Sequence, residues 1–176
     1  MTGKKPPADE GSALPARTAA RLAAVQALYQ MDLAGTDLND VIEEFISQRM
    51  SDEANEETTE SDEDAASHVD LSGADKQFFS DVLRAVLRRQ RDIDPLIDDQ
   101  LATGWRLVRV DSILRAILRA GVCELVDRPD VPVRVVINEY INVARFFFNE
   151  DEPRVVNGIL DKVARKVRAA EFEPKR

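Results

Sequence analysis

The stretch that most constrains the fold is residues 131–162, which reads VPVRVVINEYINVARFFFNEDEPRVVNGILDK. In its first half, apolar residues recur at spacings of three and four, the pattern of a helix with one buried face. Residues 149–152 read NEDE and interrupt this pattern, and Pro153 is a residue type that the first turn of a new helix tolerates. Apolar residues then resume at helical spacing. The stretch therefore predicts two consecutive helices joined by an acidic turn.

The rest of the chain carries the same helical periodicity. No segment shows the sustained alternation of apolar and polar residues that is typical of a strand. We therefore expect an all-α fold of about seven helices, with the most apolar helix, at 110–126, in the centre. Further helices are predicted at 16–33 and 37–50. The next helix is expected to start after a cap at Ser72, with Asp75 in the matching third position of a capping pattern. A short helix is then predicted at 93–101, with Pro95 in its first turn.

Two glycines fall inside predicted helices. Gly121 in the central helix costs about 1 kcal/mol relative to alanine, so we expect a close helix crossing to use the space. Asn157–Gly158 would ordinarily indicate a hairpin turn. With no strand pattern beside it, we favour a helical glycine that permits close packing, and a turn is the alternative.

Charge is distributed unevenly along the chain. The net charge is −9, but without one acidic run the chain would be nearly neutral, so the overall sign does not exclude a basic surface. This run lacks large apolar side chains, and we expect a mobile loop at about 51–69 within a single domain at 16–170. We also expect a disordered tail at 1–15 and a short tail at 171–176. The acids of the run are Asp52, Glu53, Glu56, Glu57, Glu60, Asp62, Glu63 and Asp64.

The composition gives little support to catalysis. With one histidine, His68, and one cysteine, Cys123, the chain cannot form a zinc site of the usual Cys/His type. Acids at 98–99 and 150–152 could bind a divalent ion, but acids at helix ends are more often solvated residues. No apolar run is long enough to span a membrane, and the first residues lack a signal sequence. We expect a cytoplasmic, non-catalytic protein with no cofactor and no metal site.

Several motifs, in order, resemble those of the NusB family: ALYQ at 27–30, FFSDVL at 78–83, AILR at 116–119, VPV and INE after 130, and VNGILDK at 156–162. The resemblance implies an all-α fold of two packed helical bundles. It also implies a non-catalytic transcription antitermination factor that binds the boxA segment of ribosomal RNA leader transcripts. The expected partners are boxA RNA, the ribosomal protein NusE and the elongation complex of RNA polymerase. Some family members self-associate, so a homodimer is a further option.

The resemblance also implies site residues. Carried over by position, RNA contacts are expected from Arg17 and Arg21 in the first helix and from Asp151 and Arg154 near the last one, while Tyr29 is expected to contact NusE. Arg17 and Arg21 are four residues apart and so share a helix face. For these two arginines taken alone, a solvated helix start is the plain alternative.

Some positions depart from the family pattern. Thr18, Ala19 and Ala20 stand where more arginines would be typical, and Val155 stands where an aromatic residue is common. These changes imply weaker RNA binding by the chain alone and more reliance on NusE. The alternative function is a protein-binding helical scaffold with weak or no RNA specificity, and a module associated with an RNA-modifying enzyme is a third hypothesis. We also expect the acidic loop to compete with RNA.

Overall fold

The structure is a computed structural model that describes residues 13–51 and 69–175. These ranges contain six α-helices and no strand, which confirms the all-α prediction. None of these helices carries an apolar stretch that could span a lipid bilayer. Most of the predicted tail at 1–15 and of the acidic loop at 51–69 lies outside the described residues. The helices are α1 (Ala16–Ala34), α2 (Leu38–Glu44), α3 (Lys76–Asp98), α4 (Ser112–Asp127), α5 (Val133–Phe147) and α6 (Asp151–Val167).

Helix α4 lies at the centre of the fold, as predicted from the apolar residues on most of its faces. It packs against α1 and α3 in a first bundle and against α5 and α6 in a second. Asp111 caps it, because its carboxylate accepts hydrogen bonds from the backbone N–H groups of Ile113 and Leu114. A buried core of apolar side chains runs through both bundles.

The region around α3 differs from the sequence prediction in two ways. Asp75, not Ser72, caps this helix: its side chain accepts a hydrogen bond of 2.9 Å from the backbone N–H of Phe78. The separate helix predicted at 93–101 is wrong, because α3 continues through Pro95 to Asp98. A proline removes one helical hydrogen bond, and this loss falls near the helix end, where Ile93 and Ile97 are fully buried.

The C-terminal residues fold back onto the start of α5. Residues Ala169–Phe172 form a 3-10 turn after α6. Glu171 accepts a hydrogen bond of 3.0 Å from the backbone N–H of Val133, which lowers the pKa of this carboxyl. The beginning of the tail predicted at 171–176 therefore serves as a cap for α5.

The two helical glycines have different surroundings. A Cβ atom on Gly121 would lie 3.0 Å from both methyl carbons of Leu160 and 3.4 Å from a ring carbon of Tyr140, so the predicted close crossing is confirmed. Gly158 is helical, as favoured, but a Cβ atom there would meet nothing within 4 Å. The close-packing explanation for Gly158 is therefore wrong.

These surroundings predict opposite effects for two substitutions. Gly121→Val should lower the free energy of unfolding by about 1–3 kcal/mol, because Leu160 and Tyr140 are fully buried and overpacking is costly. Gly158→Ala should raise it by up to about 1 kcal/mol, because alanine is the better helix former in open space. Urea unfolding followed by circular dichroism measures both. Wild-type stability in Gly121→Val would contradict the close crossing.

Candidate nucleic-acid interface

Arg17 lies in the first turn of α1 at the protein surface. Its side chain is 48% exposed, and its Nε atom is 3.9 Å from a carboxylate oxygen of Asp75. Its guanidinium carbon lies 4.7 Å from the centre of the Phe78 ring, within the range of a cation–π contact. The guanidinium is therefore held near one position while much of it faces solvent, where an anionic ligand could reach it.

Arg21 shares the helix face of Arg17 but lies in the interior. Its side chain is 2% exposed. Its Nε and Nη2 atoms donate hydrogen bonds of 3.0 and 2.7 Å to Glu124, and its Nη1 atom is 3.4 Å from Glu139. Its guanidinium also lies over the Phe78 ring, at 4.8 Å. The expectation that Arg21 faces RNA beside Arg17 is corrected, because this face packs against α3, α4 and α5.

The surroundings of Arg21 keep it charged. Burial alone would lower its pKa, but the hydrogen bond and charge of Glu124, with smaller effects of Tyr140 and Glu139, raise the pKa above its ordinary value. Burial, and then the charge of Glu124, raise the pKa of Tyr140 well above its usual range. The group therefore contains an arginine cation hydrogen-bonded to Glu124, beside an uncharged tyrosine. This group ties α1 to α4 and α5.

The small residues between the two arginines have a packing role. Thr18, Ala19 and Ala20 are all buried. The Thr18 hydroxyl donates a hydrogen bond of 2.8 Å to Glu139 on α5. In this chain these three residues therefore pack against the core and present no positive charge to an RNA.

The second predicted element, at the start of α6, is exposed. Asp151 is the first residue of the helix, where a carboxylate complements the helix dipole. The Arg154 side chain is 77% exposed and 3.7 Å from Glu150, whose side chain is 85% exposed. Exposed ion pairs of this kind contribute little to stability, so a phosphate could replace Glu150 as the partner of Arg154.

The structure keeps the two predicted elements apart along α5. The first turn of α1 contacts α5 at Glu139, through Thr18. From Glu139, helix α5 continues for eight residues, or about 12 Å, to Phe147, and the chain then turns into α6. The start of α1 therefore contacts α5 about two turns before α5 ends and the chain enters α6.

Tyr29, the predicted protein contact, is partly exposed near the end of α1. Leu33, four residues later on the same face, is 62% exposed. Sequence reasoning missed Leu33, although a large apolar residue one turn from Tyr29 was the available signal. The two side chains together give this end of α1 an apolar surface.

The connection between α3 and α4 adds exposed apolar side chains beside the C-terminal end of α1. Arg115 donates hydrogen bonds to the carbonyls of Leu107 and Val108 in the connection and pairs with Asp32 on α1. Val108 and Trp105 are 73% and 62% exposed. Arg115 therefore ties the connection, with its exposed apolar side chains, to the end of α1.

Arg128 is a cation that sequence reasoning assigned only to a turn. Its guanidinium lies 5.2 Å from the Phe78 ring, on the same ring as Arg17, and it forms a two-point pair with Asp130. The hydrogen bond to Asp130 is the main reason that the pKa of Arg128 is raised. No local sequence signal could place it beside Arg17, because the two residues are far apart in the chain.

Two other side chains with reactive groups, Cys123 and Asp98, are occupied by packing or by a backbone hydrogen bond. Burial raises the pKa of the Cys123 thiol to about 12, so it stays protonated. Asp98 accepts a hydrogen bond of 2.7 Å from the backbone N–H of Leu107 and so supports the connection after α3. Within residues 13–51 and 69–175, no cluster of three or more His, Cys, Asp or Glu residues could hold a metal ion.

The buried pair predicts a large and specific loss of stability. Arg21→Met should lower the free energy of unfolding by about 3–5 kcal/mol, because it leaves Glu124 buried without its hydrogen-bonding partner. The double variant Arg21→Met/Glu124→Leu should recover much of that loss, while Arg17→Met should change stability by less than about 1 kcal/mol. Guanidinium chloride unfolding measures all three. Equal losses in the single and double variants would contradict the pairing.

This chain is similar to known proteins over most of its length. The NusB family model matches residues 18–165. The transcription antitermination protein NusB of Nitrobacter hamburgensis is 49% identical over 156 residues, which cover 89% of this chain and 90% of the relative. That of Rhodopseudomonas palustris is 48% identical over 89% of this chain and 83% of its own.

Solved structures share the fold. NusB of T. maritima is 28% identical, with a TM-score of 0.68 over 93% of this chain and 100% of that one. A crystal structure of the antitermination factors NusB and NusE in complex with double-stranded RNA is 20% identical, with a TM-score of 0.60 over 85% of this chain and 96% of that one. The extent of the family match and the identity to these relatives establish that this chain belongs to the NusB family.

Proposed function

We propose that this chain is a non-catalytic transcription antitermination factor that binds the boxA segment of ribosomal RNA leader transcripts together with NusE. The observation that carries this proposal is the family match over residues 18–165, with transcription antitermination proteins among relatives that are nearly half identical. Association with the elongation complex of RNA polymerase and a cytoplasmic location are part of the same proposal.

On the RNA side, Arg17 and Arg154 supply the phosphate contacts, and Asp151 belongs to the same turn as Arg154. Both arginines are substantially exposed and only loosely paired, at 3.9 and 3.7 Å. Arginine can bind phosphate through its fork of donors and can stack on unpaired bases, which suits single-stranded RNA. Arg21 is a positioning residue, because its buried pair holds the start of α1 in place.

On the protein side, the surface around Tyr29 and Leu33 is the proposed contact with NusE. Exposed apolar side chains at the end of α1 favour a protein partner there, since apolar and aromatic residues dominate the centres of protein interfaces. This surface lies toward the C-terminal end of α1, whereas Arg17 is in the first turn. One face of the molecule could therefore bind protein while another binds RNA.

A second candidate is a protein-binding scaffold with weak or no RNA specificity. One observation favours it: each exposed arginine of the proposed RNA surface has a carboxylate beside it, namely Asp75 next to Arg17 and Glu150 next to Arg154. A scaffold would bind NusE as well as a true antitermination factor does. Only the RNA measurement separates the two functions.

The first test is a titration of a short boxA RNA and a scrambled RNA of equal length, with and without NusE, at several salt concentrations. We expect selective binding that tightens with NusE, because the partner adds contacts. Each phosphate contact in a single strand adds about −0.7 to the slope of log K against log salt, so Arg17 and Arg154 together contribute roughly −1.4. NusE binding without boxA selectivity, or a slope near zero, would favour the scaffold.

The second test removes single cations. Arg17→Ala and Arg154→Ala should each weaken boxA binding and make the salt slope less negative by about 0.7, because each loses one phosphate contact. Arg91→Ala is the matched control: Arg91 is exposed on α3, about 20 Å along that helix from Phe78. If all three variants weakened binding equally, the effect would be one of overall charge, and the assigned contacts would be wrong.

A further inference from the structure

The buried ring of Phe78 is a common support for three guanidinium groups. Those of Arg17, Arg21 and Arg128 lie 4.7, 4.8 and 5.2 Å from its centre. Arg21 is buried and already paired with Glu124. The other two side chains are 48% and 26% exposed. Because Arg17 and Arg128 contact the same ring, their guanidinium carbons are no more than about 10 Å apart.

Arg128 is paired in the geometry that arginine uses for phosphate. Its Nε and Nη2 atoms donate hydrogen bonds of 3.0 and 2.9 Å to the two carboxylate oxygens of Asp130. Two parallel N–H donors bind a carboxylate and a phosphate in the same way. Asp130 therefore occupies the donors that a phosphodiester would use. The Asp130 side chain is 58% exposed, and an ion pair at the surface contributes little net stability. A phosphate could therefore replace Asp130 as the partner of Arg128 with little loss of stability.

The acids around this site are not equivalent. Asp75, near Arg17, also caps α3 through its 2.9 Å hydrogen bond with the backbone N–H of Phe78, so it is fixed by the fold. Asp81 on α3 also contributes negative charge near Arg128, and its carboxylate accepts a hydrogen bond from Gln77. Asp130 lies in the exposed turn after α4 and is the acid that directly occupies Arg128.

Arg168, near the C-terminus, holds the backbone around Arg128 in place. Arg168 donates hydrogen bonds of 2.7 Å to the carbonyl of Val131 and 3.3 Å to that of Pro129. The backbone N–H of Val131 also donates to the carbonyl of Arg128, at 3.0 Å. An incoming phosphate would therefore need only a change of side-chain partner, without reordering of the turn, and such preorganisation favours binding.

We propose that Arg128 and Arg17 form a two-arginine site for the phosphates of single-stranded RNA, in which Asp130 is an internal competitor of the RNA. The proposal rests on the proposed RNA-binding function and adds a residue that neither the sequence motifs nor helix periodicity indicated. It also explains how a surface with compensated charge binds RNA: the phosphate replaces a carboxylate that is already in the correct position.

The experiment is a titration of boxA RNA and of a scrambled RNA of equal length, at low and high salt in the presence of NusE. The variants are Arg128→Met, Asp130→Asn and the control Arg91→Met. Arg128→Met should weaken boxA binding about five- to tenfold and make the salt slope less negative by about 0.7. Asp130→Asn should tighten it about threefold at low salt, because the amide competes less well for the guanidinium. The control should bind as the wild type does.

The outcomes separate this proposal from the proposed function. Selective wild-type binding that neither Arg128→Met nor Asp130→Asn alters would overturn the two-arginine site and leave the function standing. Equal binding of both RNAs, weakened by Arg128→Met and tightened by Asp130→Asn, would support the site and overturn boxA recognition. Absence of any RNA binding would overturn both. If Arg128→Met unfolds, Asp130→Asn alone decides, since it changes only an exposed side chain: tighter binding supports the site and unchanged binding overturns it.

Discussion

The buried pair of Arg21 and Glu124 is the interaction on which the rest of this structure depends. It joins the first helix to the central one, and Glu139 extends the contact to α5. A buried arginine is tolerated when a partner compensates its charge and accepts its hydrogen bonds, and Glu124 does both for Nε and Nη2 of Arg21. Because the same guanidinium covers Phe78, the pair also fixes the ring around which the exposed arginines are placed.

That arrangement divides the arginines into groups with different tasks. Arg21 positions the first helix, and Arg168 holds the turn between α4 and α5. Arg17, Arg128 and Arg154 lie at the surface, each beside a carboxylate. A carboxylate beside an arginine keeps the guanidinium oriented in the absence of RNA. Because such exposed pairs are weak, an RNA phosphate can replace the carboxylate with little loss of stability. The overall negative charge of the chain is thus compatible with a local site for phosphate.

Helix periodicity predicted most of the fold because it depends on near neighbours in the chain. The predicted bounds of α1 and α4 are within two residues of those observed, and Asp111 and Gly121 have the roles expected of them. The errors occurred where a distant contact overrides a local signal. Pro95 suggested a new helix, but the burial of Ile93 and Ile97 on either side of it keeps α3 continuous.

The sequence by itself determined the helices, the central place of α4 and the family motifs, since the spacing of apolar residues sets which side chains share a helix face. Only the tertiary structure decided which arginines meet solvent. Arg17 and Arg21 share a face by spacing, yet Arg21 is buried because Glu124, 103 residues away, is its partner. Likewise, Arg128 joins Arg17 only because α1, α3 and α4 converge on Phe78. Exposure depends on long-range packing, and local spacing carries no information about it.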